Sequence, residues 1–187
     1  MLYRDCTDIS LDLETLSTYR NAVIISIGAV GFDMDTGFIH GELEVHIDPQ
    51  DAMNKGLVTD KGTVDWWLQQ SDQAWKYLMV RERTVEEACN AFIDFVREFP
   101  KGVRLWGNGV GFDNMLLRDM FDAVGKRFPV HWTKDMDMRT IMMLLKEKTG
   151  RRKEDLRVSF SGVKHCALDD ARHQAKLISE AWRYIKY

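Results

Sequence analysis

Cysteine is scarce in this chain, and the little there is forms no pattern. Cys6, Cys89 and Cys166 are odd in number and none lies in a C-x-x-C pair, so neither a disulfide framework nor a structural zinc site is expected. Long apolar runs are missing as well. None approaches the ~20 residues needed to span a bilayer, and Met1-Leu2-Tyr3-Arg4-Asp5 opens neither a signal peptide nor a transit peptide. The expectation is a cytoplasmic protein with no membrane attachment. Positive charge is not in excess: 26 Lys and Arg stand against 29 Asp and Glu, for a net charge of -3. That balance argues against coating long stretches of nucleic acid through a basic surface, and leaves open an enzyme that grips a few nucleotides at a chain end. Internal repeats and low-complexity segments are also absent.

What is present is a chain of 187 residues, 45% of them hydrophobic, enough for one domain over 1–187 with a sizeable core. Its most informative stretch is Ile9-Ser10-Leu11-Asp12-Leu13-Glu14-Thr15. As a strand with a period of two, it turns Ile9, Leu11 and Leu13 to one face and Ser10, Asp12 and Glu14 to the other. Two carboxylates near a core must be hydrated, protonated, paired with a base or bridged by a cation. No Lys or Arg follows before Arg20, which makes a cation from solution a candidate. An amphipathic edge strand with a solvated acidic face is the alternative.

Residues 22–32 and 38–47 supply two more strands, separated by a turn at 33–37, so the first three strands read as an antiparallel meander. A loop is expected from Asp48 to about Gly62, and then Thr63 as the N-cap of a short helix over 64–70 carrying Trp66 and Trp67. Paired tryptophans are either core anchors or stacking platforms for bases. Neighbours on a helix point about 100° apart, so one is expected inside and the other lining a cleft. Thr84-Val85-Glu86-Glu87 has the spacing of a capping box and opens a helix that ends near Pro100. A buried strand over 103–106, a glycine loop over 107–111 and a helix after Phe112-Asp113 follow. The loop matches neither GxxxxGK[ST] nor GxGxxG; its glycines suit a tight turn that sets Asp113 at a helix start beside the sheet. Taken alone, Asp113 reads as an N-cap. Beyond a connection at 129–134, residues 135–140 lead into another helix, with Met136, Met138, Met142 and Met143 as core filler. The run from Lys146 to Arg157 is locally basic, most simply a solvated helix end and loop. A long terminal helix extends from Ala167 to about Tyr184. This order fits an α/β domain with a mixed sheet.

His165 falls just before that last helix, with Asp169 and Asp170 in its first turn, where acids are favoured in any case. Asp12 and Glu14 on the first strand, Asp113 at a strand-to-helix junction, and His165 with Asp170 together resemble the DEDD exonuclease superfamily of His type, a branch of the ribonuclease H-like fold. Thr63-Val64-Asp65-Trp66-Trp67, Trp106-Gly107-Asn108-Gly109 with Phe112-Asp113-Asn114, and Asp137-Met138-Arg139-Thr140 are similar to its phage exonuclease A and bacterial 3'-5' exoribonuclease group. The resemblance implies a mixed five-stranded sheet flanked by helices. It also implies a 3'-to-5' exonuclease acting on 3' ends of single-stranded RNA or DNA with two divalent metal ions, Mg²⁺ or Mn²⁺. Asp12, Glu14, Asp113 and Asp170 would hold the metals and His165 would act as general base. Thr15, Leu16, Trp66, Trp67, Asn108 and Phe112 would contact substrate, and a homodimer is plausible by family habit. Asn108 stands five residues before Asp113, where many members have four, and Thr15-Leu16-Ser17 departs from the common Thr-Thr-Gly-Leu continuation. Family spacing chooses Asp170 over Asp169. A catalytically silent nucleic-acid-binding module on the same fold is the competing function, and a stand-alone globular protein with merely solvated acids is a third.

Overall fold

Alternation in the first strand organises the molecule. A computed structural model describes residues 2, 3, 5–78 and 80–187, and of 77 and 78 the backbone alone; the amino-terminal reading of Met1 and Arg4 lies outside the described residues. Strand β1 (Asp8–Thr15) pairs antiparallel with β2 (Ile24–Phe32), which pairs antiparallel with β3 (Ile39–His46). Three short helices follow, α1 (Pro49–Asn54), α2 (Lys61–Trp67) and α3 (Asp72–Leu78), then α4 (Val85–Arg97). Strand β4 (Arg104–Gly107) returns parallel to β1 and leads into α5 (Asp113–Ala123). A short β5 (Asp135–Asp137) lies parallel to β4, and α6 (Met138–Thr149) and α7 (Ala167–Lys186) complete the chain. The sheet order is β3-β2-β1-β4-β5, so the acidic strand is central rather than an edge. This is the mixed, helix-flanked five-stranded sheet of the ribonuclease H-like fold.

Both sheet faces are covered. Ile9, Leu11 and Leu13 pack into a core with Phe92, Leu117 and Phe121 of α4 and α5. On the other face Val30, Phe32 and Trp106 pack against Ile141 and Leu145 of α6 and Ala171, Ala175 and Ile178 of α7. Strand β2 is accordingly buried along its whole length, which explains its unbroken apolar run. The capping box at Thr84 and Glu87 forms as the spacing requires.

Several local expectations are corrected. The stretch after Asp48 is not plain loop: Asp48 caps α1, with Pro49 at the first helical position, where a missing N–H costs nothing. Helix α2 is capped by Asp60, whose carboxylate accepts from the N–H of Thr63, so Thr63 sits inside the first turn. Met138 is buried, whereas Met143 is exposed and fills no core. The three cysteines are free and buried. No helix among the described residues is long and apolar enough to cross a membrane.

Candidate active site

The polar face of β1 carries Asp8, Ser10, Asp12 and Glu14 beneath α7. Asp8 is fully neutralised. Nε and Nη2 of Arg104, on the adjacent parallel strand, each donate to it at 2.6 Å, and Trp106 Nε1 donates at 2.7 Å. Asp12 has no such partner; Gln174 Nε2, one turn after Asp170 on α7, donates to it at 2.6 Å. Among the described residues none of Asp12, Glu14, Asp113 and Asp170 forms an ion pair with Lys or Arg.

Two close approaches bring the remaining acids in. Gly28 stands opposite Asp12 across the β1–β2 ladder, and a Cβ there would lie 2.1 Å from the carbonyl carbon of Ala167. The missing side chain lets the start of α7 rest on the sheet, over the acids. At the end of β4, a Cβ on Gly107 would meet the side chains of Asn114 and Asp113, so α5 begins hard against the strand. Phe112 occupies the N-cap position without a side-chain bond, and Asp113 is the first helical residue. Its carboxylate is buried and turned back toward the N–H of Gly109. The N-cap reading of Asp113 is therefore replaced by that of a buried acid facing β1.

His165 lies in the loop before α7 with φ of 64°, in the left-handed region that a side chain disfavours. Its N–H donates to Asp170 Oδ2 at 2.8 Å. Ligand atoms of Glu14, His165 and Asp170 all lie within 4.8 Å of one another. Asp169 is engaged elsewhere, accepting from the N–H of Val163 at 2.9 Å and from Arg172 at 2.7 Å.

The electrostatics follow from burial without a counter-charge. Burial, and then the carboxylates of Glu14, Asp113 and Asp170, push Asp12 well above the usual carboxylate range. Burial, with Asp170 and Asp113, pushes Glu14 up to about 8. Burial raises Asp113 to about 6 against the opposing N–H of Gly109, and raises Asp170 against that of His165. Four acids that repel one another and one imidazole, with no thiolate among them, form a donor set suited to hard divalent cations.

The two tryptophans divide as helix geometry requires. Trp67 is 2% exposed and donates its indole N–H to the Thr15 carbonyl at 2.8 Å, so it holds the end of β1 and offers no face to a ligand. Trp66 is 42% exposed, edge-on to His165 with ring centroids 5.0 Å apart. Thr15 is buried with its hydroxyl on the Ser17 carbonyl, and Leu16 and Phe112 are half-buried against the core. Asn108 is half-buried in the loop before Asp113. Two residues were given no role by the sequence reading. Gln174 could have been found from its i+4 spacing to Asp170. Asn114 is fully buried and donates to the Leu105 carbonyl and to Asp135 Oδ1, tying α5 to β4 and β5; its partners come from distant segments.

Comparisons agree with this architecture. No curated protein sequence matches the chain. CRN-4, a cell-death related nuclease, superposes with a TM-score of 0.67 at 13% identity, over 96% of this chain and 64% of its own. The chain thus spans less than two thirds of that protein. The nuclease domain of 3'hExo, a DEDDh family member bound to rAMP, gives 0.60 at 16% identity over 94% and 91% of the two chains. A 3'-exonuclease in a structure of histone mRNA stem-loop recognition gives 0.55 at 15% identity over 91% and 79%. At these identities the likeness is one of fold. The family model of the 3'-5' exoribonuclease Rv2179c-like domain matches residues 7–182, and the chain therefore belongs to that family of nucleases.

Proposed function

We propose that the chain hydrolyses phosphodiester bonds at the 3' ends of single-stranded nucleic acid, releasing nucleoside 5'-monophosphates. Two divalent ions, Mg²⁺ or Mn²⁺, are held by Asp12, Glu14, Asp113 and Asp170, with His165 as the general base. The observation that carries this reading is the convergence of four acids without a cationic partner, two on β1 and one each on α5 and α7, next to an imidazole, while the other acid of β1, Asp8, is fully paired. The family description, and the rAMP and histone mRNA stem-loop named with two structural neighbours, favour RNA as substrate, with DNA an open second.

When bound, divalent ions lower the pKa of a coordinated water and offset charge building on the phosphate. The chain's own residues do the rest. Glu14 and Asp170 flank the imidazole of His165, a side chain able to take a proton from an attacking water. The hydrogen bond from the His165 N–H to Asp170 fixes the loop so that base and acid keep their spacing. Gln174 holds the Asp12 carboxylate in orientation. The exposed part of Trp66, beside His165, offers a stacking surface for a terminal base.

The test is a time course with 5'-labelled RNA and DNA oligonucleotides in Mg²⁺ or Mn²⁺. A ladder of products shortened from the 3' end is expected, abolished by chelator and by Asp12→Asn. No ladder with either metal and either nucleic acid would reject the enzyme in favour of a silent binding module, and a fully active Asp12→Asn would remove the metal site.

A further inference from the structure

A second feature lies at the other end of the parallel strands. A cleft of about 1070 Å³ opens where β4 and β5 begin, between the end of α4, the far part of α5 and the connection before β5. Six cationic residues line it, Arg97, Lys101, Arg118, Lys126, Arg127 and Lys134, and no Asp or Glu does among the described residues. Three of these are committed: Arg97 to Asp94, Arg118 to Asp135 and Lys126 to Glu86. Lys101, Arg127 and Lys134 have no ion pair among the described residues. In a chain of net charge -3, such a concentration of one sign in a concave surface focuses a positive field. At the rim stands Trp132, 70% exposed and leaning on His131 with ring centroids 5.5 Å apart.

The exposed indole of Trp132 offers a flat face on which a base can stack. Cations for a backbone and an aromatic face for bases together describe a surface for single-stranded nucleic acid. We propose that this cleft is an auxiliary binding site for single-stranded nucleic acid. In it Trp132 stacks on a base, and Lys101, Arg127 and Lys134 take phosphates, away from the end being cut. The cleft begins before Arg104 and the acids gather past Gly107, at the two ends of the four-residue β4, a separation of roughly 15 Å at ~3.3 Å per strand residue. A strand several nucleotides long reaches both; a dinucleotide does not. The idea rests on nucleic acid being the substrate, and it predicts a preference for longer strands.

The experiment has a binding arm and a turnover arm. Binding of a long, unstructured, labelled single strand to the full chain is followed by anisotropy in chelator, so the readout stands whether or not the chain cuts. Trp132→Ala is expected to weaken binding at least about fivefold, the loss of one stacked base, while Trp132→Phe retains most of it. Replacing Lys101, Arg127 and Lys134 together by Ala is expected to lower the log–log salt slope by about 2. In turnover, the same variants raise KM for the long strand and leave hydrolysis of a dinucleotide unchanged, with the melting temperature as control for folding. Wild-type binding and salt slope in both variants would overturn the proposal, even if the active site cuts as described. Displacement of the strand by polyglutamate of matched charge as readily as by unlabelled strand would overturn it too, in favour of an acidic protein partner.

Discussion

Four positions along β1 separate two fates of a carboxylate. Asp8 and Asp12 share a strand face and differ in what stands beside them: for Asp8 it is Arg104, 96 residues away in sequence, and for Asp12 a neutral amide. Alternation places both residues on that face, but only the fold distinguishes them. Asp12, Glu14, Asp113, His165 and Asp170 could be read as a set only through their resemblance to a known family, since each taken alone has an ordinary structural reading. Gln174 was not read, although its i+4 spacing sets it on the same face of the last helix as Asp170. The same reasoning sorts Asp169 from Asp170. Asp169→Ala strips partners from the Val163 N–H and Arg172, so about 1–3 kcal/mol of stability is lost while most activity is kept. Asp170→Ala is expected to abolish activity. Urea midpoints beside turnover rates test this, and equal loss of activity would reverse the assignment. His165 offers a second comparison. Its left-handed backbone stores strain of order 1 kcal/mol. His165→Gly and His165→Ala should both be inactive, with the glycine variant about 1 kcal/mol the more stable in urea unfolding.

The elements that build the site were partly visible before folding. The three leading strands, the capped α4 and the long α7 have strong periodicity or explicit caps. Helix α1, six residues long, hides in a polar stretch, and the Asp48-Pro49 pair was its one available signal. Strand β5, of three residues, has no periodicity to read and is defined by its pairing with β4. The N-cap of α2 was displaced because Asp60 and Thr63 are both good caps three residues apart, and only one can be outermost. The element-level dependence that matters most is α7 on Gly28. A methyl group there collides with the backbone of Ala167 and Leu168, which cannot swing aside as a side chain could. Gly28→Ala should therefore lift the start of α7, cost at least about 1–3 kcal/mol and remove nearly all activity, although residue 28 contributes no chemistry. Wild-type melting and turnover in that variant would show that the helix does not bear on the strand there.

At the scale of the molecule, the unneutralised acids make stability depend on pH and on cations. Glu14 rises from 4.5 to about 8 and Asp113 from 3.8 to about 6. The native protein therefore holds these protons more tightly than the unfolded chain does. Their favourable contribution is complete below about pH 4 and is lost as pH climbs to about 8. In chelator the melting temperature should fall across that window. Added Mg²⁺ or Mn²⁺ should restore little at pH 5 and progressively more toward pH 8. A melting temperature in chelator that rises from pH 5 to pH 8 would contradict the buried, unpaired state of these groups. The cleft at the far end of the sheet was illegible in the sequence because its cations come from three separate segments, each ordinary alone. The central position of β1 has a last consequence. In native-state exchange, a middle strand buried on both faces opens only with the whole fold, whereas a loop such as that of His165 and a seven-residue helix such as α2 open first. The site thus joins a central strand to a loop and a short helix, so mild denaturant should lower turnover before the global unfolding transition, and coincident loss of the two would contradict this.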